Sequence, residues 1–268
     1  VPLTDFAAAL REASAPLRPI ELETRSADGY PVHGWVVRPS TAGPHPVLLM
    51  IHGGPFSAYG PTFFDEAQVL AEAGYAVVMC NPRGSSSYGE PHAAAIKRDF
   101  GKLDALDVLA FLDHALAAVS DLDVDRVGIM GGSYGGYLTA WLIAQEHRFT
   151  AAIVERAYLD PRTFVGASDI GWYFPGAIHG EDVRSPLLVV GQVRTPTLVI
   201  HSENDLRCPL AVALRYYTEL KQGDVDAELL VFPGETHELS RSGGPLHRQA
   251  RFEHILRWWA RHLPVASA

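Results

Sequence analysis

The chain has 268 residues, 47% of them hydrophobic, with a formal net charge of -9. That size suits one large α/β domain around a single core, and the acidic balance excludes nucleic acid and anionic membranes as main partners. Two cysteines, Cys80 and Cys208, make no disulfide framework, so a reducing, cytoplasmic setting is expected.

At the start, Val1-Pro2-Leu3-Thr4 has no basic segment followed by an apolar one, so no signal peptide is expected. The absence of Met there is read as a processed chain or a piece of something longer. Leu3 to Arg11 reads as a short helix capped by Thr4 or Asp5 and stopped by Pro16 and Pro19. Ile20 to Arg25 alternates apolar and polar, as a half-exposed strand does. Asp28-Gly29 makes a turn, and Val32 to Val37 returns as its partner. Thr41 to Pro46 is a turn-rich loop, and Val47 to Ile51 is a strand buried on both faces.

Strands and helices then alternate. A helix is predicted over Phe63 to Ala73 and a strand over Tyr75 to Cys80. Lys102 to Ala118 reads as an amphipathic helix whose apolar stripe is Leu103, Leu106, Leu109, Ala110, Leu112 and Leu116. Arg126 to Met130 is a buried strand, followed at once by Gly131-Gly132-Ser133-Tyr134-Gly135-Gly136-Tyr137 and a helix. Ala152 to Val154 is a strand, and Asp160 to Arg194 reads as irregular and rich in aromatics. Thr197 to His201 and Glu228 to Phe232 are strands around a helix over Leu210 to Leu220, and His247 to Leu263 is a terminal helix. No run approaches the roughly 18 apolar residues of a membrane span. The alternation predicts a doubly wound, mostly parallel sheet of eight strands with helices on both faces and an antiparallel hairpin at its first edge.

A serine between glycines on a strand-to-helix hinge is the nucleophile elbow of an α/β-hydrolase. Its glycines let strand and helix pack closely around a strained serine. Such a nucleophile needs a base, and the base an orienting carboxylate, in the chain order Ser, Asp or Glu, His. Among twelve histidines, His237 lies just past the last strand, after a Pro233-Gly234 turn. His247, His254 and His262 fall on the terminal helix and are read as solvated or capping residues. His201 ends a strand but precedes the acid. Asp205 follows the Thr197 to His201 strand with room to turn towards the elbow. Glu203, Glu155 and Asp160 are its competitors, each otherwise a loop charge or helix cap. For the oxyanion hole, the N–H of Tyr134 and that of Gly54, in His52-Gly53-Gly54-Pro55, are the candidates. His52 has no second metal ligand at suitable spacing and is read as shaping this loop.

Several stretches, in order over nearly the whole chain, resemble the prolyl oligopeptidase family of serine peptidases, in its acylaminoacyl-peptidase branch. They are Asp28-Gly29 with Val32-His33-Gly34-Trp35, His52-Gly53-Gly54-Pro55, Asn81-Pro82-Arg83-Gly84-Ser85 with Tyr88-Gly89, and Gly131 to Tyr137. Ser168 to Phe174, His201 to Asp205 with Arg207-Cys208-Pro209, and Phe232-Pro233-Gly234-Glu235 with His237 and Leu239 to Gly243 complete the set. The resemblance implies Ser133, Asp205 and His237 as the triad, and Tyr134 and Gly54 as oxyanion donors. Prolyl oligopeptidase and dipeptidyl peptidase relatives carry a tyrosine at the position of His52, which places this chain nearer the acylaminoacyl peptidases. The family carries an N-terminal β-propeller that admits only short peptides; this chain reads as the hydrolase part alone, with the propeller expected to be removed, a separate piece or absent from a short relative. Residues 1–19 are accordingly assigned to an N-terminal helical linker and 20–268 to the hydrolase domain. Ala157-Tyr158-Leu159 departs from the relatives and is expected along the acyl pocket.

Phe164, Trp172, Tyr173 and Phe174 lie between two strands and above the nucleophile in this topology. They are read as an apolar pocket for the acyl-side residue, or else as aromatics that pack their own loop. Arg83 and Arg156 are read either as binding a substrate carbonyl or carboxylate or as structural ion-pair partners. The function expected is hydrolysis of short peptides, releasing aminoacyl or N-acylaminoacyl residues through an acyl-enzyme, with no cofactor or metal. A carboxylesterase and a non-catalytic binding module of the same fold are the alternatives. Relatives often assemble, so a homo-oligomer with Leu3 to Leu10 as docking helix is a further expectation.

Overall fold

The structure is a computed structural model that describes residue 5, residues 7–180 and residues 183–265. Its eight strands are β1 (Ile20–Arg25), β2 (Pro31–Val37), β3 (His45–Ile51), β4 (Ala76–Asn81), β5 (Leu122–Gly132), β6 (Ala152–Glu155), β7 (Thr197–Ser202) and β8 (Ala227–Phe232). They form one sheet in the order β1-β2-β4-β3-β5-β6-β7-β8. β1 pairs β2 and β2 pairs β4 antiparallel, and every other pairing is parallel. The expected mostly parallel α/β-hydrolase sheet, with an antiparallel first edge, is the one observed.

The helices are α1 (Ala8–Ala13), α2 (Asp65–Glu72), α3 (Glu90–Ala94), α4 (Leu103–Ala118) and α5 (Tyr134–Gln145). They continue with α6 (Pro161–Ala167), α7 (Phe174–Ile178), α8 (Leu210–Gln222), α9 (Leu239–Ser242) and α10 (Pro245–His262). The region read as irregular between Asp160 and Arg194 therefore contains α6, α7 and a 3-10 turn at Pro186–Gln192. Asp160 caps α6 by accepting from the backbone N–H groups of Arg162 and Thr163. These helices are too short to show a helical period. Leu3 and Thr4, the expected helix start and one expected cap, lie outside the described residues; the other expected cap, Asp5, does not cap α1, whose N-cap is Ala7 with no side-chain hydrogen bond.

Two apolar layers sandwich the sheet, and β3 serves both. Val47, Leu49 and Ile51 join one cluster with Val108 and Phe111 of α4, Leu138 of α5 and Tyr216 of α8. Leu48 and Met50 join the other with Leu70 of α2 and Trp258 and Trp259 of α10. Alternate side chains leave opposite faces of a strand, which is why this run is apolar throughout.

The buried face of α4 matches the leucine stripe read from the sequence only in part: Leu112 is buried and Leu109 and Leu116 pack against the core. Leu106 is 45% exposed, whereas Asp104 and Asp107 are wholly buried. Asp107 accepts from Arg83 and from Ser26 Oγ, and Asp104 accepts from Tyr134 Oη. Partners from distant segments turn these acids inward.

Candidate active site

β5 ends at Gly132 and α5 begins at Tyr134, so Ser133 alone makes the hinge. Its φ of 61° and ψ of -118° are a conformation that costs a side chain on the order of 1–3 kcal/mol. Close packing forces it. A Cβ on Gly131 would lie 2.5 Å from the Gly135 carbonyl carbon, and one on Gly135 would lie 2.0 Å from Ile51 O. Ser133 N–H donates to Glu155 O at 3.0 Å, and Ser133 O accepts from Tyr137 N at 2.9 Å. The hinge is thereby tied to β6 and to the first turn of α5, whose free N–H groups face the serine end.

The loops after β7 and β8 converge on this hinge. His237 Nε2 lies 3.0 Å from Ser133 Oγ, and His237 Nδ1 lies 2.8 Å from Asp205 Oδ2. A carboxylate only accepts, so Nδ1 carries the proton and Nε2 is left to accept from the serine. The other oxygen of Asp205 accepts from the N–H groups of Arg207 at 2.9 Å and Cys208 at 2.8 Å. These bonds lock the carboxylate rotamer. Behind it sits His201, whose Nε2 donates to Cys208 O at 2.6 Å and lies 3.5 Å from Asp205 Oδ2. Burial holds the His201 pKa below the usual histidine value. Its strand-end position was visible in the sequence, but its place behind the acid was not.

The competing acids are engaged elsewhere. Glu203 accepts from Gly234 N, and Glu155 pairs with Arg251 at 2.6 Å. Burial pushes the Glu155 pKa up, but Arg251 more than offsets this and holds it at about 2. Of the three helix histidines, His262 is not solvated as expected: its ring lies 4.0 Å from that of Trp258.

Tyr134 is anchored by its hydroxyl, which donates to Asp104 Oδ2 at 2.9 Å. Burial raises the Asp104 pKa to about 6, against the N–H and hydroxyl groups that donate to it. Gly54 has a φ of 123° and lines a cavity of about 240 Å³ together with Ser133 and Tyr134. His52 shapes this loop: Nδ1 lies 2.6 Å from Gly53 O and Nε2 lies 3.0 Å from Ser85 Oγ. Its burial lowers its pKa to about 4, so the ring is neutral near pH 7.

The cavity beside Ser133 is aromatic. Phe164, Tyr173 and Phe174 line it as the sequence suggested, and so does Tyr158 of the Ala157-Tyr158-Leu159 stretch, though Ala157 and Leu159 do not; Phe100 joins them. Tyr158 packs edge-on against Phe164, with ring centroids 4.6 Å apart. Trp172 does not line it: this side chain is 82% exposed and rests against Tyr173. Phe100 was missed because it comes from the loop before α4, far from the elbow in sequence.

Arg83 is engaged in the ion pairs that were one of its two readings. Its guanidinium is held by Asp107 at 2.7 Å and Asp28 at 2.8 Å, with Tyr30 beneath it. Arg156 follows Glu155 beside the elbow, where its Nη2 donates to Ser240 Oγ at 3.2 Å. Among the described residues, no group of three or more His, Cys, Asp or Glu side chains is arranged to hold a metal ion. No helix among them is long and apolar enough to cross a membrane.

Residues 61–265 match the model of the prolyl oligopeptidase family. The chain is 40% identical over 257 residues to a Bacillus subtilis (strain 168) protein described as uncharacterized peptidase YuxL, covering 91% of this chain and 39% of that one. Uncomplexed Pyrococcus horikoshii acylaminoacyl peptidase superposes with a TM-score of 0.93 at 33% identity, over 99% of this chain and 45% of the other. An acylaminoacyl peptidase in complex with Z-Gly-Gly-Phe-chloromethyl ketone superposes with a TM-score of 0.94 at 32% identity, over the same shares. The chain thus spans less than half the length of each of these proteins. By the extent of the family match and by these likenesses, the chain belongs to the prolyl oligopeptidase family.

Proposed function

We propose that this chain is the catalytic part of a serine peptidase that cleaves short peptides by acyl transfer. The observation that carries the reading is the hydrogen-bond relay from Ser133 through His237 to Asp205, at 3.0 and 2.8 Å. Ser133 Oγ attacks the scissile carbonyl carbon while its proton passes to His237 Nε2. The carbonyl oxygen becomes an oxyanion held by the N–H groups of Tyr134 and Gly54, each worth about 3 kcal/mol in such sites. Asp205 fixes the imidazole tautomer and stabilises its cation. The C–N bond then breaks as His237 returns the proton to the leaving nitrogen. Water repeats the cycle on the ester, giving up a proton to His237, and Ser133 Oγ regains one as the acid departs.

The aromatic cavity favours a large apolar acyl-side residue, with Phe164, Tyr173 and Phe174 as walls. A related acylaminoacyl peptidase is bound by an inhibitor whose acyl portion ends in Phe, in keeping with this. The substrates proposed are aminoacyl or N-acylaminoacyl peptides cut near the N-terminus. Residues 20–268 form the catalytic unit in this reading and residues 1–19 its lead. In the longer relatives' manner, a propeller and self-association would further restrict access. A cytoplasmic setting fits Cys80 and Cys208, both free and buried. Burial pushes both thiols up, which keeps them inert.

The test compares N-acetyl-phenylalanine p-nitroanilide with short p-nitrophenyl esters. Turnover of the anilide supports peptidase action. Turnover of esters alone would replace it with the carboxylesterase reading, which uses the same relay on a better leaving group.

A further inference from the structure

A second cavity, of about 270 Å³, adjoins the elbow and shares no wall residue with the aromatic one. Gly54 and Ser133 face the aromatic cavity, while their chain neighbours Gly53 and Gly132 face the second. Its walls carry three arginines and two glutamates. Arg251 is matched to Glu155 at 2.6 Å and Glu66 at 3.0 Å. Arg241 is matched to Glu238. Arg156 makes no such ion pair among the described residues, although its charge is felt at Glu155 and Glu238. It is 8% exposed, and its Nε and Nη1 have no hydrogen-bond partner among the described residues.

A buried cation with open donors is costly unless something pairs with it. The fold holds it there nonetheless. A Cβ on Gly132 would lie 2.9 Å from Arg156 Cζ, and one on Gly53 would lie 3.6 Å from Ser133 Cβ and 4.0 Å from Arg156 Nη1. Gly132 thus gives the guanidinium its place against the nucleophile's backbone.

Acyl transfer fixes which part of a substrate passes this way. The acyl side occupies the aromatic cavity, and the leaving nitrogen must sit at His237 Nε2 to receive its proton. The leaving segment then runs away from the aromatic cavity. Ser240, on the short helix just after His237, lines the second cavity and accepts from Arg156. We propose that this cavity receives the leaving peptide and that Arg156 binds its C-terminal carboxylate. A guanidinium fork matches a carboxylate bidentately. The volume lies just under the usual ligand range of about 300–1,000 Å³, which limits the leaving portion to a short peptide. The inference rests on the acyl-transfer reading of Ser133.

The experiment measures kcat/KM of the 268-residue chain on N-acetyl-Phe-Ala-Ala as free acid and as C-terminal amide, with N-acetyl-Phe p-nitroanilide in parallel. The free acid is expected to be the better substrate by about tenfold or more, the worth of a charge-assisted hydrogen bond. Arg156→Gln is expected to bring the acid-to-amide ratio close to one, and Arg156→Lys to keep part of it. Free Ala-Ala is expected to inhibit competitively and Ala-Ala amide to inhibit far less, a comparison that needs no variant to fold. Equal rates on acid and amide, with the anilide still cleaved, overturn the inference and leave acyl transfer standing. An acid preference unchanged in Arg156→Gln overturns it as well. No turnover of any of the three substrates overturns acyl transfer itself, and this inference with it.

Discussion

Ser133, His237 and Asp205 come from three loops at the ends of β5, β8 and β7, and each depends on a different local device. The serine needs a strained backbone, the histidine a turn that brings it back over the sheet, and the acid two N–H groups that fix one of its oxygens. Asp205→Asn keeps the shape but offers an amide where Nδ1–H expects an acceptor. A loss of about 10⁴ in kcat is expected, with an unchanged melting temperature; steady-state kinetics and thermal melts measure both. Asp104 makes a stability prediction. Its pKa rises from 3.8 to about 6 on folding, so its contribution is complete below 3.8 and is lost as pH rises through about 6. Asp104→Asn should be less stable than the unaltered chain at pH 4, because its NH2 group meets N–H or O–H donors where one of the two carboxyl oxygens accepts from Ala105 N or from Gly101 N and Tyr134 Oη, and should close that gap towards pH 7. Melting temperatures across this range decide it, and a gap that widens with pH contradicts it. Ser133, Asp205 and His237 were legible as one hydrogen-bonded cluster because each follows a strand in the order such a site demands. Asp104, His201 and Phe100 were not, because their roles arise from contacts between segments far apart in sequence.

At the scale of elements, the alternation of apolar strands and helices was readable because a parallel sheet buried on both faces leaves uninterrupted apolar runs. Helix faces were less readable. On α4 the leucines suggested one stripe, while the packed face includes Asp104 and Asp107, paired with Tyr134 and Arg83. Short α6 and α7 offered no period to read. Arg251 on α10 shows a similar long-range pairing: it reaches Glu155 on β6 and Glu66 on α2, and so joins the terminal helix to the end of the sheet nearest the elbow. Arg251→Met leaves Glu155 buried and unpaired, and a loss of about 3–5 kcal/mol is expected in urea unfolding. Glu155 is held at about 2 against an ordinary 4.5. Its contribution is therefore present above 4.5 and lost as pH falls through about 2. The deficit of Arg251→Met should be largest near neutral pH and should shrink as acid neutralises the orphaned carboxylate. A deficit independent of pH contradicts the assignment. Gly135→Ala places a methyl group 2.0 Å from Ile51 O, so hydrolysis should fall steeply as the elbow is displaced.

For the whole molecule, the sheet gathers its loops at one end and sets two cavities by the elbow, an aromatic one lined by Ser133 and a second that carries three arginines. The aromatic cavity could be anticipated from Phe164, Tyr173 and Phe174. The arginine-lined one could not, because it is assembled from the loop after β3, the ends of β5 and β6, α2 and the C-terminal helices. The central claim is that Ser133, activated by His237, is the nucleophile, and intact-mass analysis after treatment with a fluorophosphonate tests it most directly. One adduct per chain is predicted, mapped to Ser133, absent from Ser133→Ala and formed far more slowly in His237→Ala, with both variants melting as the unaltered chain does. An unlabelled folded chain, or an adduct on any other residue, would contradict it.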